Sequence, residues 1–133
     1  MIGVVVVTHG QLSSELVNAA EMIVGDLPHF TAVSIGWHED VNDARGDIAL
    51  AVERVQAGDG VLILTDMFGG TPSNLAISIM EGQHVDVVAG MNLPMLIKLA
   101  SVREDATLEQ AVSFAQDAGR KYISVASKIL SGK

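Results

Sequence analysis

A doubly wound, mainly parallel α/β sheet of strand order 2-1-3-4, with helices on both faces, is the architecture this sequence predicts. Three observations lead to it. The runs IGVVVV (residues 2–7) and VLILT (61–65) are short and β-branched, without the polar alternation of a half-exposed strand. Stretches of helical periodicity separate the strand-like runs. Strands that alternate with helices through right-handed crossovers form a parallel sheet covered on both sides.

The first strand stops at Thr8-His9-Gly10, and from Gln11 the period becomes helical, with Leu12, Leu16, Ala19, Ala20 and Ile23 on the inward face and Gly25 at the C-cap position. Residues 30–35 (FTAVSI) form the second strand. A polar loop through Trp37-His38-Glu39-Asp40 leads to a helix with Ala44, Ile48, Val52 and Val55 inward, which ends before the turn Gly58-Asp59-Gly60. The third strand, 61–65, runs into Asp66-Met67-Phe68-Gly69-Gly70 and then Thr71-Pro72, a helix start in which the threonine hydroxyl caps free amides and proline sacrifices no hydrogen bond. That helix reaches about Glu81, with Gly82 after it, and residues 84–89 make a fourth strand. Helices follow over 94–102 and from the Thr107 cap to about Ala118; residues 121–127 (KYISVAS) are either a strand or a continued helix. There is no internal repeat or linker, so residues 1–133 form a single domain.

Composition narrows the function. With 49% apolar residues and only 18% charged, the chain is core-forming rather than disordered, and some apolar surface is expected to be covered by a partner or a second subunit. The absence of cysteine excludes a thiol nucleophile, a zinc-thiolate cluster and a disulfide framework. A net charge of −8 argues against nucleic acid and against an anionic membrane. No apolar run approaches the roughly 18 residues of a membrane span, and the N-terminus lacks the basic residues of a signal peptide, so a cytoplasmic location is expected.

In a 2-1-3-4 sheet the topological switch point lies between strands one and three, and ligand chemistry collects at their carboxyl ends. Those ends carry His9 and Asp66. Imidazole is a nucleophile near neutral pH once one ring nitrogen is fixed as a donor; Asp66 is placed to accept the Nδ1 proton and leave Nε2 to attack. The segment Gly69-Gly70-Thr71-Pro72 supplies free amides and the positive end of a helix dipole, which favour a phosphoryl group. Thr71 either donates to a phosphate oxygen or caps the helix. A histidine nucleophile, an orienting carboxylate and an anion-ready helix start together describe a phosphohistidine site that calls for no metal and no cofactor.

The chain resembles, along essentially its whole length, the enzyme IIA domain of the mannose-type (mannose/fructose/sorbose) sugar phosphotransferase system. The resemblance rests on Val7-Thr8-His9-Gly10, on Leu64 to Asn74 (LTDMFGGTPSN), and on Ala89 to Leu96 (AGMNLPML). It implies that His9 accepts a phosphoryl group from the phosphocarrier protein HPr and passes it to a IIB component, with membrane contact only indirectly through permease subunits. It further implies that Asp66 supports the histidine, that Thr71 lies against the phosphate, and that a C-terminal strand, residues 121–127 here, is exchanged in a homodimer. Two features depart from the pattern: an Ala/Pro-rich linker to a IIB domain is absent, and Gln11-Leu12 occupy a region where an aromatic is common. The first implies a separate IIB protein, the second a different choice of partner. A second reading of the same site is regulatory: the charge of about −1.5 to −2 that phosphorylation adds at His9 would control a protein partner rather than sugar uptake.

Other families with similar fragments fit less well. A response-regulator receiver needs acidic residues after strand one to hold magnesium, where this chain has Thr8 and His9. A histidine phosphatase would place arginine before His-Gly, and a flavodoxin would need more than 4% aromatic residues to sandwich its flavin. The IIA-like subunit of dihydroxyacetone kinase is nearer, but Phe68-Gly69-Gly70-Thr71-Pro72 favours the mannose type. His29 and His38 read as surface residues, and His84 is expected at the opposite end of the sheet from His9. Asn92 either shapes the cleft or holds a turn; Met67, Phe68 and Trp37 are candidates for a docking rim. Residues 1–97 hold twelve acids against two arginines, whereas 98–133 are mildly basic, so a basic partner would be steered to the half that carries His9 and Asp66.

Overall fold

The computed structural model describes residues 1–132; residue 133, the last position of the expected domain, lies outside the described residues. Strand β1 (Gly3–His9) takes the centre of the sheet because its valines are apolar on both faces, and Val4 to Val7 are all fully buried. Around it the chain runs α1 (Leu12–Val24), β2 (Phe30–Ile35), α2 (Val41–Val55), β3 (Val61–Thr65), α3 (Thr71–Met80), β4 (Val85–Ala89), α4 (Leu93–Val102), α5 (Leu108–Lys121) and the short α6 (Ala126–Leu130). The four strands are parallel in the order β2-β1-β3-β4, as the sequence predicts. The register sets His9 opposite Ile35, Val7 opposite Thr65, and Thr65 opposite Ala89, so the carboxyl ends of all four strands share one edge.

Alternation along β1 divides its side chains between two cores. Val5 and Val7 join Ile63, Val33 and Ile35 under α2 and α3, with Ile48, Val52, Val55 and Leu75 from those helices. On the other face Val4 and Val6 join Leu62 and Leu64 under α1, α4 and α5, with Val17, Leu96, Leu99 and Ala115. At Gly3 a Cβ would run into the Val55 carbonyl, so glycine is what lets the end of α2 close onto β1.

Three local expectations are corrected. The buried face of α1 is Ser13, Val17 and Ala20, with Leu16 and Ala19 only partly covered and Leu12 and Ile23 exposed. A polar residue turns inward there because it is satisfied: the Ser13 amide donates to Thr8 Oγ1 at 2.7 Å, and Ser13 Oγ lies 3.0 Å from Ser34 Oγ. At the start of α3 the N-cap is Gly70 rather than Thr71, no side chain caps the helix, and Ser73 ties the turn instead. Finally, residues 121–127 form neither one strand nor a continued helix. Helix α5 ends at Lys121, no regular structure covers Ile123–Val125, and α6 begins at Ala126.

The remaining termini follow their local signals. Asp40 caps α2 by accepting from the Asn42 and Asp43 amides, and Thr107 with Gln110 forms a complete capping box on α5. Asn92 caps α4 through Met95 N and also donates to the Gly119 carbonyl at 2.8 Å, so it holds the β4–α4 turn against the end of α5.

Candidate functional site

His9 is the last residue of β1, at the point where the chain leaves the sheet centre in opposite directions toward β2 and toward β3. Gly10, at φ 57°, turns the backbone away, and its amide donates to the Ile35 carbonyl at 2.9 Å. The His9 ring is therefore left at the surface, its side chain 54% exposed, while Asp66 at the end of β3 is largely covered at 15%.

One carboxylate oxygen fixes the ring. Asp66 Oδ2 accepts the His9 backbone amide at 3.0 Å and lies 2.7 Å from His9 Nδ1. Its second oxygen, Oδ1, accepts the Met67 amide at 3.0 Å. Burial alone would raise the Asp66 pKa. The hydrogen bonds from the His9 amide and ring, the attraction of the His9 charge and the Met67 amide outweigh it, and the carboxyl group is held below its usual value of 3.8. An ionised carboxylate can only accept, so Nδ1 carries a proton, and in the neutral ring it is then Nε2 that holds the lone pair.

Nε2 faces the turn between β3 and α3. A Cβ built on Gly70 would stand 3.0 Å from His9 Cε1 and 3.4 Å from Nε2, so the glycine backbone packs directly against the Cε1–Nε2 edge of the ring. Gly69, at φ 93°, makes the turn, and its amide is given to Ser73 Oγ at 2.9 Å. Ser73 in turn donates to the Gly70 carbonyl at 3.1 Å and is completely buried. The residue that pins this turn is thus Ser73, which sequence reasoning missed; the signal was a serine four positions after Gly69 in Gly-Gly-Thr-Pro-Ser. Thr71 is exposed at the first helical position, and its hydroxyl does not cap the helix.

The structure brings His9, Asp66 and Gly70 together and sets Thr71 on the same rim. It does not bring in the other histidines. His84 packs beside Gly60 at the amino ends of β3 and β4, His29 precedes β2 at its amino end, and His38 lies exposed in the loop after β2. Among the described residues no three histidine or acidic side chains converge to hold a metal ion, and no helix is long and apolar enough to cross a membrane. The arrangement can therefore present one imidazole nitrogen, lone pair outward, beside a helix start whose dipole favours an incoming anion.

A family model described as EIIA-man, PTS system fructose IIA component, matches residues 3–116. The fructose-specific EIIA component of the PTS system of Bacillus subtilis strain 168 is 32% identical over 131 residues, covering 98% of this chain and 90% of the relative. The mannose-specific EIIAB component of Escherichia coli K12 is 30% identical over 127 residues, covering 90% of this chain; the chain spans only 38% of that relative's length. The crystal structure of phosphotransferase system component EIIA from Streptococcus agalactiae superimposes with a TM-score of 0.87 at 23% identity, over 96% of this chain and 99% of that one, and so shares the fold.

Proposed function

The chain belongs to the EIIA-man family of phosphotransferase-system IIA components, and on that premise we propose that it is a phosphoryl-transfer intermediate phosphorylated at His9 Nε2. The observation that carries the reading is the 2.7 Å contact between His9 Nδ1 and Asp66 Oδ2. It fixes the tautomer and directs the free lone pair toward the Gly70–Thr71 turn. In the forward step the Nε2 lone pair attacks the phosphorus of a phosphohistidine on phospho-HPr. The new N–P bond forms as the donor's N–P bond breaks, and the bonding pair returns to the donor ring nitrogen. The His9 ring keeps its Nδ1 proton and gains positive character, which the adjacent Asp66 carboxylate stabilises. Thr71 Oγ1 and the Gly70–Thr71 backbone are proposed to receive the phosphoryl oxygens, with Gly69 shaping the turn while its own amide serves Ser73. The second step is the same kind of displacement with His9 now the donor, onto a histidine of a IIB component.

Family membership and an exposed apolar tail (Tyr122, Ile123, Val125, Ile129 and Leu130) support a homodimer in which residues 121–127 pair with a second copy. The central test incubates the protein with enzyme I, HPr and labelled phosphoenolpyruvate. Acid-labile label is expected on the wild type and none on His9→Ala. Label retained by His9→Ala, or none on the wild type, overturns the assignment.

A further inference from the structure

The turn beside His9 is made of the two residues least able to hold a shape. Gly70 has no room for a side chain, because a Cβ there would stand 3.0 Å from His9 Cε1, closer than side-chain contacts ordinarily come. Gly69 takes a φ of 93°, a conformation that L side chains rarely adopt. The first glycine is exposed and the second half-buried, so surrounding atoms do little to confine them. Close approach to the ring is thus obtained at the expense of local rigidity.

Ser73 restores the rigidity from within the first turn of α3. Its side chain is fully buried, and both functions of its hydroxyl are engaged in the turn. Oγ accepts the Gly69 amide at 2.9 Å and donates to the Gly70 carbonyl at 3.1 Å. The same carbonyl accepts the Asn74 amide at 3.0 Å. The peptide bond after Gly70 is trans, so the Thr71 N–H points opposite to the Gly70 carbonyl. With that carbonyl drawn inward by Ser73 and Asn74, the Thr71 amide is turned out of the helix end. Pro72, the next residue, has no N–H with which to replace it.

We infer that Ser73 is a positioning residue for phosphoryl transfer. It locks the Gly69–Gly70 turn, keeping the Gly70 backbone against the Cε1–Nε2 edge of His9 and the Thr71 amide turned outward one residue away. The inference rests on the phosphoryl-transfer reading above and adds to it a residue that touches neither the donor nor the phosphoryl group. A serine that only stabilised α3 would lower the unfolding midpoint when lost and leave the chemistry of the folded protein unchanged. A positioning serine lowers the rate of a step whose reactants it never contacts.

The test measures His9 labelling by phospho-HPr and by phosphoramidate, a small donor that brings no protein surface, alongside the urea unfolding midpoint. For Ser73→Ala the maximal rate is expected to fall about tenfold with both donors, while the KM for phospho-HPr stays within about twofold. Ser73→Cys fills nearly the same space with a weaker donor and acceptor. Its rate should also fall several-fold, with a midpoint close to the wild type, and it carries the comparison if the alanine variant does not fold. Ile79→Val, a buried position further along α3, should lower the midpoint and still be labelled at the wild-type rate. Wild-type rates in both serine variants overturn the positioning role and leave the phosphoryl-transfer reading standing. An equal loss in Ile79→Val assigns the effect to helix stability and overturns the role as well. A loss seen only with phospho-HPr, and only in KM, makes the turn a docking element and likewise overturns it. A wild type that neither donor labels overturns the phosphoryl-transfer reading and this inference with it.

Discussion

Asp66 grips His9 twice through a single oxygen: Oδ2 accepts the backbone amide at 3.0 Å and lies 2.7 Å from ring Nδ1. The two contacts restrict different motions. The first fixes where the end of β1 lies relative to β3, and the second fixes the ring about its own bonds. A side chain that merely neutralised the histidine would need only one of them. The pair therefore explains how the His9 ring can be exposed and still be oriented.

Replacing Asp66 with asparagine tests the orienting role. The amide keeps an oxygen for the His9 backbone, but it lacks the charge that stabilises the ring as phosphorus bonds to Nε2. Turned over, the amide sets its NH2 where Oδ2 stood: it then donates to Nδ1, which moves the ring proton to Nε2 and removes the lone pair, and the His9 amide loses its acceptor. Phosphorylation by HPr is expected to slow on the order of 10²-fold, less than a serine-protease aspartate loses because no proton leaves the ring in this step. Circular dichroism should report an intact fold. An unchanged rate would make Asp66 structural.

The same carboxylate gives stability a pH dependence. Its pKa in the folded chain is lowered from 3.8, so its stabilising contribution is fully present above that value. The contribution is lost as pH falls through the depressed folded-state pKa. Urea unfolding midpoints at pH 5.5 and roughly pH 3 are expected to show a larger drop for the wild type than for Asp66→Asn. Equal drops would show that Asp66 is not held below its ordinary value.

Gly70→Ala separates stability from function. Gly70 sits at φ −89° and ψ 173°, a conformation open to any residue, so alanine there brings no backbone strain. Restriction of the unfolded chain adds up to about 1 kcal/mol, offset by what the His9–Asp66 contact loses, so the unfolding midpoint is expected to change little. The added methyl, however, would meet His9 Cε1 at 3.0 Å and displace the ring from Asp66. Phosphorylation should fall by about tenfold or more, since small misplacements of a reacting atom are costly. Parallel measurement of unfolding midpoint and labelling rate decides the matter, and a variant labelled at the wild-type rate would mean the ring does not depend on this contact.

The sheet order and the pairing of His9 with Asp66 were legible because both follow from local signals: unalternating apolar strands fix the layering, and strand order brings the ends of β1 and β3 together. What was not legible depended on partners distant in sequence. Ser13 is buried only because Thr8 and Ser34 satisfy it, and the periodicity of apolar residues could not show that. Thr71 followed by proline resembles a cap, yet Gly70 takes the N-cap and Ser73 holds the turn from within the first helical turn. At the end of the chain, KYISVAS reads equally as a strand or as a continued helix, and among the described residues no strand pairs with it.

That unpaired tail supplies the final prediction. Tyr122, Ile123, Val125, Ile129 and Leu130 are all exposed, whereas Ala118 and Gly119 just before them are buried. The Gly119 carbonyl is moreover held by Asn92, so α5 must be kept whole to preserve the β4–α4 turn. A truncation after Lys121 removes the apolar tail and spares that contact, whereas a cut at residue 120 would fray the end of the helix beside it. If residues 121–127 pair with a second copy, sedimentation equilibrium should show a dimer for the full chain and a monomer for the truncated one. His9 labelling by phosphoramidate should persist in both, because the His9–Asp66 pair lies within one chain. A truncated protein that remained a dimer would place the contact between copies elsewhere. The exposed tail would then need a different explanation.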